Sequence, residues 1–320
     1  MAENSKIEWT DHTFNPWRGC TKVSPACDLC YAETMSKRNP AVLGVWGKYG
    51  TRAIAAESYW KLPEQWNRKA EKEGVRKRVF CASLADVFEG NDTMPESAWP
   101  DVYRARYRLF DLIQATPHLD WLLLTKRPEL VTSTLSDQGI YGTLSKVMPN
   151  VWIGTTVENQ KYADERIPHL LKIPAKVRFL SIEPLLGPID FYKTSEVWPP
   201  DVNHPWRNEP ILHGIHWVIV GGESGGQKAR PMDPAWVRSL RDQCVSAGVP
   251  FHFKQWGEWV DEMHEAVDTQ RHAMSDAFVT LIEDEGPDYL GFYMARVGKQ
   301  LAGRELDGRT WDEVPEVQHG

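Results

Sequence analysis

Several common classes of protein are excluded by what this 320-residue sequence lacks. No stretch approaches the ~18 consecutive apolar residues of a membrane-spanning helix. Residues 1–17 contain no apolar core of the kind that signal peptides have. The net charge is −7, whereas proteins that coat nucleic-acid duplexes are usually basic. We therefore expect a cytoplasmic protein without a membrane partner.

Cysteine is also scarce, with five residues in the whole chain. Because cytosolic thiols stay reduced, disulfides are not expected. Three of the five lie within eleven residues of the segment GCTKVSPACDLCYAE (residues 19–33), which we call the cysteine loop. Their spacing is C-x6-C-x2-C, formed by Cys20, Cys27 and Cys30. Clustered thiols in a reducing compartment indicate metal binding or catalysis.

The usual phosphate-binding motifs are missing as well. The segment GGESGG places Gly221, Gly222, Gly225 and Gly226 in pairs, which does not match G-x-G-x-x-G. It also lacks the Lys-Ser/Thr ending of a P-loop. The sequence therefore predicts neither a dinucleotide-binding fold nor an ATPase.

Short apolar runs alternate with amphipathic stretches along most of the chain. Near-continuous apolar strands that alternate with helices predict an α/β fold with a parallel sheet. A short strand near residues 13–18 would be the first of seven. The other six runs are 78–86, 120–129, 151–159, 177–184, 214–226 and 249–259. This count favours a partial (β/α)6-type TIM-like barrel with an irregular C-terminal cover, and a doubly wound open sheet is the alternative.

The predicted barrel covers residues 1–259. It has the cysteine loop at its N-terminal end and a Pro-rich insertion at 187–214. Residues 260–320 read as an extension packed on the barrel. A helix is predicted over 232–248, because Asp233 can cap it, Pro234 suits its first turn and Gly248 can end it.

Each predicted strand ends in polar or charged side chains. In a parallel barrel all strand C-termini lie on one face, so residues distant in sequence would converge there. Burying such groups is unfavourable unless they pair or meet a ligand, so the alternative is a set of structural salt bridges. These residues are Asp86, Lys126, Arg127, Glu158, Glu183, Glu223, Lys254 and Gln255.

Three thiols leave open which metal they hold. A structural zinc site needs a fourth ligand, for which His12 and Cys81 are the nearby candidates. Cys81 lies within a strand and Cys244 within a helix, so both are expected in the core. A cubane held by three cysteines leaves one iron open for a chelating ligand such as S-adenosylmethionine. A zinc-stabilised, non-enzymatic module that binds nucleic acid or protein is the alternative.

The sequence resembles a radical SAM-like three-cysteine family encoded by phages and bacteria, long catalogued as of unknown function. The resemblance is carried by NPWRGCTKVSPACDLCYAE, LLTKRPE, GTTVENQKYADERIPHLL, FLSIEPLLGPID, GGESG, PFHFKQWGEW and VGKQLAGRELDGRTWDEVP. It implies a radical SAM partial barrel, a [4Fe-4S] cluster and S-adenosylmethionine. The first cysteine gap is three residues longer than the commonest spacing of such enzymes, C-x3-C-x2-C. Their early GGE-like segment is replaced here by ASLAD.

The resemblance implies a role for each candidate residue. Cys20, Cys27 and Cys30 would ligate the cluster. Six residues would bind S-adenosylmethionine: Ser83, Asp86 and Glu158 at its amino group or ribose, Tyr31 at the adenine, and Lys126 or Arg127 at the carboxylate. Five residues would face the substrate: Glu183, Glu223, Arg230, Lys254 and Gln255.

The resemblance does not imply a substrate. Phage association and the basic strand ends suggest a nucleotide or an exposed base in nucleic acid, modified or repaired by hydrogen abstraction, and a small molecule is the other class of substrate expected. A flavodoxin or ferredoxin would donate the electron. The segment RKAEKEGVRKR (68–78) is read either as a basic contact patch or as a solvated helix with mixed charges.

Overall fold

The computed structural model describes residues 3–192, 211–261, 264, 279–282 and 292–317. Its strands are β1 (His12–Phe14), β2 (Trp17–Arg18), β3 (Ala53–Ile54), β4 (Lys77–Cys81), β5 (Leu119–Thr125), β6 (Val151–Thr156), β7 (Val177–Ile182), β8 (Trp217–Gly221), β9 (Phe251–Gln255), β10 (Trp259–Asp261), β11 (Val279–Ile282), β12 (Phe292–Arg296), β13 (Glu305–Leu306) and β14 (Arg309–Thr310). Its helices are α1 (Tyr31–Arg38), α2 (Pro40–Leu43), α3 (Glu57–Trp60), α4 (Leu62–Glu73), α5 (Trp99–Gln114), α6 (Val131–Asp137), α7 (Leu144–Val147), α8 (Gln160–Leu171), α9 (Pro234–Ala247) and α10 (Lys299–Ala302).

The main sheet contains seven strands in the order β1-β4-β5-β6-β7-β8-β9. β1 pairs with β4, β4 with β5, β5 with β6 and β8 with β9, all in parallel. The spatial order follows the chain order and never reverses, whereas a doubly wound sheet reverses at its switch point. The predicted α/β fold with a partial TIM-like barrel of parallel strands is confirmed.

The strands form where the sequence is almost uniformly apolar. All six residues of β6 are buried, as are six of the seven residues of β5. Parallel strands that are covered on both faces require such runs, because neither face meets water. Cys81 in β4 and Cys244 in α9 are fully buried, so their prediction as core residues is confirmed.

The chain forms two compact units, each with its own core. The first contains Met1–Thr156, Glu165–Leu180 and Glu316–Gly320, and the second contains Val157–Asp164 and Ser181–Pro315, both in their described parts. In the first unit, Phe14 stacks on Tyr59 and meets Trp60 and Trp121 edge-on. In the second unit, the core includes the fully buried rings of Trp217, Phe251 and Phe253.

Helix α9 has the ends that the sequence predicts. The side chain of Asp233 accepts a hydrogen bond from Ala235 N at 2.7 Å, and Pro234 occupies the first helical position. Gly248 ends the helix in the left-handed conformation, with φ of 66°. The predicted capping is therefore confirmed at both ends.

Two strand predictions need correction. The short strand predicted near residues 13–18 is partly right, because β1 (His12–Phe14) is the edge strand of the main sheet. Trp17–Arg18 do not belong to it, since they form β2, which pairs with β3 in a separate antiparallel ribbon. The run predicted over 78–86 ends as a strand at Cys81, because Ala82 has a φ of 61° and the chain turns there.

The described part of the C-terminal region contains two small antiparallel sheets, β10-β12-β11 and β13-β14. Within the second unit, Trp256 Nε1 donates to Glu305 O at 2.8 Å, and Phe253 N donates to Trp311 O at 2.9 Å. These bonds hold C-terminal residues against β9. Most of the predicted Pro-rich insertion, residues 193–210, lies outside the described residues. None of the helices in the described ranges has the length and apolar character needed to cross a membrane.

Candidate functional site

The cysteine loop carries three free, half-buried thiols. Cys20 follows β2, Cys27 ends a short 3-10 helix at Pro25–Cys27, and Cys30 immediately precedes α1. Cys27 N donates to Ser24 O at 2.9 Å, and Cys30 N donates to Cys27 O at 3.4 Å. Backbone turns therefore fix the spacing between the second and third thiols.

The loop offers three thiols together with the carboxylates of Asp28 and Glu33, and Glu33 pairs with Lys22 and Lys37. Within the described ranges, no three His, Cys, Asp or Glu side chains are grouped closely enough to hold a metal ion. The two candidates for a fourth zinc ligand belong to the core, since Cys81 is fully buried in β4 and His12 stacks on Trp66 with ring centroids 4.4 Å apart. Three thiols match the protein ligands of a cluster with one open iron, whereas a closed zinc site needs four ligands.

Arg127 connects the cysteine loop to Asp86. Its Nη1 lies 2.9 Å from Asp86 Oδ2 and donates to Cys20 Sγ at 3.8 Å. Its Nη2 donates to the carbonyl oxygen of Thr21 at 2.7 Å. Both Arg127 and Asp86 are buried. The guanidinium thus holds the residues around Cys20 in a single arrangement.

A second buried pair lies beside the first, and the sequence analysis missed it. Arg52 binds both carboxylate oxygens of Glu89, each at 2.7 Å. Arg106 donates to the carbonyl oxygens of Val87 and Glu89 at 2.9 and 3.0 Å. The three guanidinium groups and the carboxylates of Asp86 and Glu89 are all buried and carry a net charge of +1.

The buried charges around Cys20 influence the pKa values of the Cys20 thiol and of Arg127. Burial, followed by the nearby Glu89 carboxylate, raises the pKa of the Cys20 thiol to about 12, while Arg127 opposes the rise. Burial lowers the pKa of Arg127, but Asp86, Cys20 and Glu89 outweigh burial and raise it above its ordinary value. Arg127 is therefore a permanent cation next to the sulfur.

Asp86 and Lys126 differ in how their side chains are engaged. Asp86 accepts hydrogen bonds from Thr125 Oγ1 at 2.8 Å and Phe88 N at 3.0 Å, in addition to Arg127. Lys126 donates its backbone N to Asp86 at 3.3 Å. The half-buried side chain of Lys126 has no hydrogen bond or ion pair within the described part of the chain. Lys126 can therefore bind an anion without breaking an existing contact.

Tyr31 and Ser83, both predicted to contact the cofactor, lie against each other. The Tyr31 hydroxyl donates to the carbonyl oxygen of Ser83 at 2.6 Å, and half of the Tyr31 residue is exposed. The Ser83 hydroxyl is 3.1 Å from Asn15 Nδ2. The buried Asn15 also accepts from Leu84 N at 2.7 Å, which fixes the turn that follows β4. Asn15 was not among the predicted site residues.

In the second unit, Glu183 and Lys254 form an ion pair with Nζ and Oε1 2.8 Å apart. Ser181 Oγ donates to the other carboxylate oxygen at 3.4 Å. A Cβ atom at Gly221 would lie 2.9 Å from Glu183 Oε1. The glycine therefore leaves room for the carboxylate over the end of β8.

Glu223 and Arg230 form the other charged pair of this unit. Arg230 donates its backbone N and its Nε to Glu223 Oε2 at 2.9 and 2.8 Å, and its Nη2 binds Oε1. Gly222 precedes Glu223, and a Cβ atom there would overlap the carbonyl oxygen of Trp256. The GGE segment is thus a close backbone crossing that presents Glu223.

Gln255 and Glu158 are both buried. Gln255 Nε2 donates to Gly222 O at 3.2 Å, while its buried Oε1 has no hydrogen-bond partner in the described ranges. The backbone oxygen of Glu158 accepts from Leu186 N at 2.7 Å. An unpaired buried amide oxygen is uncommon and indicates a place where a polar ligand or water belongs.

The structure therefore brings many predicted residues together inside each unit. In the first unit these are Cys20 with Arg127 and Asp86, and Tyr31 with Ser83. In the second they are Glu183 with Lys254, and Glu223 with Arg230. That both sets serve one ligand stays a prediction.

A family model described as "Protein of unknown function (DUF5131)" matches residues 4–315. No curated protein matches the chain. A solved structure of a spore photoproduct lyase, in a mutant form with one cysteine replaced by serine, is similar at 12% sequence identity and a TM-score of 0.42, covering 92% of this chain and 71% of that chain. A likeness of this degree carries no conclusion about activity.

Proposed function

The chain belongs to the DUF5131 family of proteins of unknown function, and we propose that it is a radical SAM enzyme of the cytoplasm. The observation that carries the proposal is that three free thiols share one loop and a buried guanidinium donates to one of the sulfurs. Cys20, Cys27 and Cys30 would hold a [4Fe-4S] cluster. A cluster held there would pass an electron from a reductant to S-adenosylmethionine, whose cleavage to methionine and a 5'-deoxyadenosyl radical would supply the group that abstracts hydrogen from the substrate.

Arg127 positions the loop and would offset the negative charge of cluster-bound thiolates. Its two nitrogens bind the Cys20 sulfur, Asp86 and the Thr21 carbonyl, so it fixes the first thiol relative to β5. Thiolate ligands carry negative charge, and a neighbouring permanent cation stabilises them in a buried site. Arg127 is too fully engaged to be the main ligand of the S-adenosylmethionine carboxylate.

Lys126 is the better candidate for that carboxylate, because its ammonium group has no partner in the described part of the chain. Tyr31 offers a half-exposed ring beside the cysteine loop for the adenine. Ser83, Asp86 and Glu158 remain proposed for the amino group or ribose. The hydrogen bonds from Thr125, Phe88 and Arg127 would hold the Asp86 carboxylate in position for this contact.

We assign the charged residues of the second unit to the substrate. In the Glu183–Lys254 and Glu223–Arg230 pairs the cations are the more exposed partners, with 19% and 34% of their side chains accessible, so they would be the groups that meet a polar substrate. The unpaired Oε1 of Gln255 can accept a hydrogen bond, for instance from the amino group of a nucleobase. A nucleotide or nucleobase is therefore the substrate class proposed, with a flavodoxin or ferredoxin as the electron donor.

Anaerobic reconstitution with iron and sulfide tests the proposal. The expected result is a brown protein that absorbs near ~400 nm and, with dithionite and S-adenosylmethionine, releases 5'-deoxyadenosine. Cys27→Ala should lose the iron, whereas Cys244→Ala, a cysteine buried in α9, should keep it. A colourless protein with one bound zinc and no iron would overturn the proposal in favour of a zinc-stabilised binding module.

A further inference from the structure

Positive charge is concentrated around the cysteine loop. Residues 18–54 contain six Lys and Arg residues and two Asp and Glu residues, a net charge of +4. The chain as a whole carries −7, which leaves −11 for the remainder. Residues 68–78 also carry a net charge of +4, with six Lys and Arg residues and two Glu residues, so a polyanion would be attracted to both basic segments.

Pairing alone does not separate this segment from the other basic stretch, residues 68–78. There, Arg76 pairs with Asp120 at 2.7 Å, whereas Arg68 and Lys72 form no ion pair within the described residues. In the present segment Arg38 and Lys48 are exposed and likewise form no ion pair there, while its other cations include the paired Lys22, Lys37 and Arg52. The difference is that residues 68–78 contain no aromatic side chain, whereas an exposed tyrosine, Tyr49, follows Lys48.

Lys48 and Tyr49 occupy the two central positions of a tight turn. Gly50 N donates to Gly47 O at 3.0 Å, which closes the turn. Tyr49 is 91% exposed and packs against almost nothing. The ring therefore contributes little to the core and is accessible to a ligand.

The turn is held rigidly against the cysteine loop. Gly47 N donates to Cys20 O at 2.9 Å, and the buried Arg52 donates to Gly47 O at 3.3 Å. A Cβ atom at Gly50 would overlap the carbonyl oxygen of Val45, so the turn depends on glycine there. Tyr49 is thus presented by a preorganised backbone, which lowers the entropic cost of binding.

We propose that the Lys48–Tyr49 turn binds single-stranded nucleic acid, with the Tyr49 ring stacked on a base and Lys48 at a phosphate. Aromatic rings beside unpaired cations are the combination by which proteins hold single strands. The half-exposed ring of Tyr31 lies in the cysteine loop and offers a second surface for a base. The further idea that the bound strand, rather than a free nucleotide, is the substrate rests on the proposed radical SAM function. The binding of the strand is independent of that function.

Fluorescence anisotropy with the reconstituted full chain tests the inference. The probes are fluorescein-labelled single strands of DNA and of RNA, each about 20 nucleotides long. We expect saturable binding at low salt, with a logarithmic salt slope of about −2 from roughly three phosphate contacts. The two probes distinguish DNA from RNA. Poly-glutamate of similar length tests an acidic protein as the partner.

Tyr49→Ala should weaken oligonucleotide binding on the order of tenfold. Lys48→Gln should weaken it less and reduce the salt slope by about 0.7. Tyr293→Ala, an exposed tyrosine of β12, and Lys72→Gln, an exposed lysine of α4, are the matched controls and should bind as the wild type does. Circular dichroism melts establish that each variant is folded.

Three results would overturn the inference: no oligonucleotide binding, equal binding by wild type and Tyr49→Ala, or equally tight Tyr49-dependent binding of poly-glutamate. The iron content of the same samples distinguishes failure of the strand-binding inference from failure of the proposed function. Strand binding without a cluster would refute the enzyme activity and leave the binding site standing. A cluster without strand binding would do the reverse.

Discussion

Arg127 Nη1 lies 2.9 Å from Asp86 Oδ2 and 3.8 Å from Cys20 Sγ, so one buried nitrogen serves both a carboxylate and a candidate cluster ligand. The Arg52–Glu89 pair stands beside it, with Glu89 Oε1 3.7 Å from Arg127 Nη2. The cysteine loop is thus attached to the sheet through paired charges rather than through apolar packing alone.

Removing this guanidinium should be strongly destabilising. Arg127→Met leaves the buried Asp86 carboxylate without its cation, and we expect a loss of about 3–5 kcal/mol in the free energy of unfolding. Chemical denaturation measures it, with the exposed Arg104→Met as a control that should not shift the midpoint. Adding Asp86→Asn to Arg127→Met should recover part of the loss, and an undiminished loss in the double variant would contradict the pairing argument.

Replacing Lys126 should affect cofactor binding without affecting the cluster. Because its ammonium has no partner in the described part of the chain, Lys126→Gln removes a charge but no structural contact. We expect S-adenosylmethionine to bind roughly tenfold or more weakly, the effect of losing one charge-assisted hydrogen bond. Isothermal titration on the reconstituted protein measures this, and Lys146→Gln, an exposed lysine of α7, is the control. Unchanged affinity in Lys126→Gln would assign the carboxylate to another residue.

The buried His12 predicts a pH dependence of stability. Burial lowers the pKa of His12, and this outweighs the carboxylates of Asp11 and Glu3, which raise it; Lys77 and Lys69 lower it further. The unfolded chain then binds the extra proton first, so stability is complete above the unfolded value of about 6.5 and declines as the pH falls below it toward the folded pKa.

Denaturant unfolding at about pH 8 and about pH 5 measures this decline. The matched variant is His12→Phe, which keeps a ring stacked on Trp66 but cannot take up a proton. We expect a smaller loss of stability on acidification in His12→Phe than in the wild type. An identical loss in both would show that His12 does not contribute to it.

The N-cap of α9 gives a local prediction. Asp233→Ala removes the side chain that accepts from Ala235 N and should lower the free energy of unfolding by about 1 kcal/mol. Asp233→Ser keeps an acceptor at this position and should recover most of the loss. Thermal unfolding of the three proteins measures the order wild type, Asp233→Ser, Asp233→Ala, and any other order would argue against the cap.

The sequence was sufficient to predict the elements whose signals are local. Continuous apolar runs gave the parallel strands, and the Asp233, Pro234 and Gly248 signals gave the ends of α9. The buried charged residues near Cys20 could not be predicted in the same way. Arg52 and Arg106 contact Glu89 only because the fold brings separate segments together, and no spacing rule relates them.

The misplaced second part of the strand predicted near residues 13–18 has a similar cause. Trp17 and Arg18 have the composition of a strand, but their partner is Ala53–Ile54, reached through the cysteine loop and two short helices. Composition predicts that a segment is extended and does not identify its neighbour. A charged strand end such as Glu183 could likewise be located from the sequence, whereas its pairing with Lys254 required the three-dimensional structure.

The monotonic strand order of the main sheet has a consequence for synthesis. Each strand from β4 to β9 is added at the edge of the strand that precedes it in the sheet, and none is inserted between two strands already in place. A nascent chain can therefore extend the sheet from its N-terminal side while translation continues, without waiting for a distant segment to complete an inner pairing. At each stage of translation, the next strand pairs with the unpaired edge of the strand that was added last.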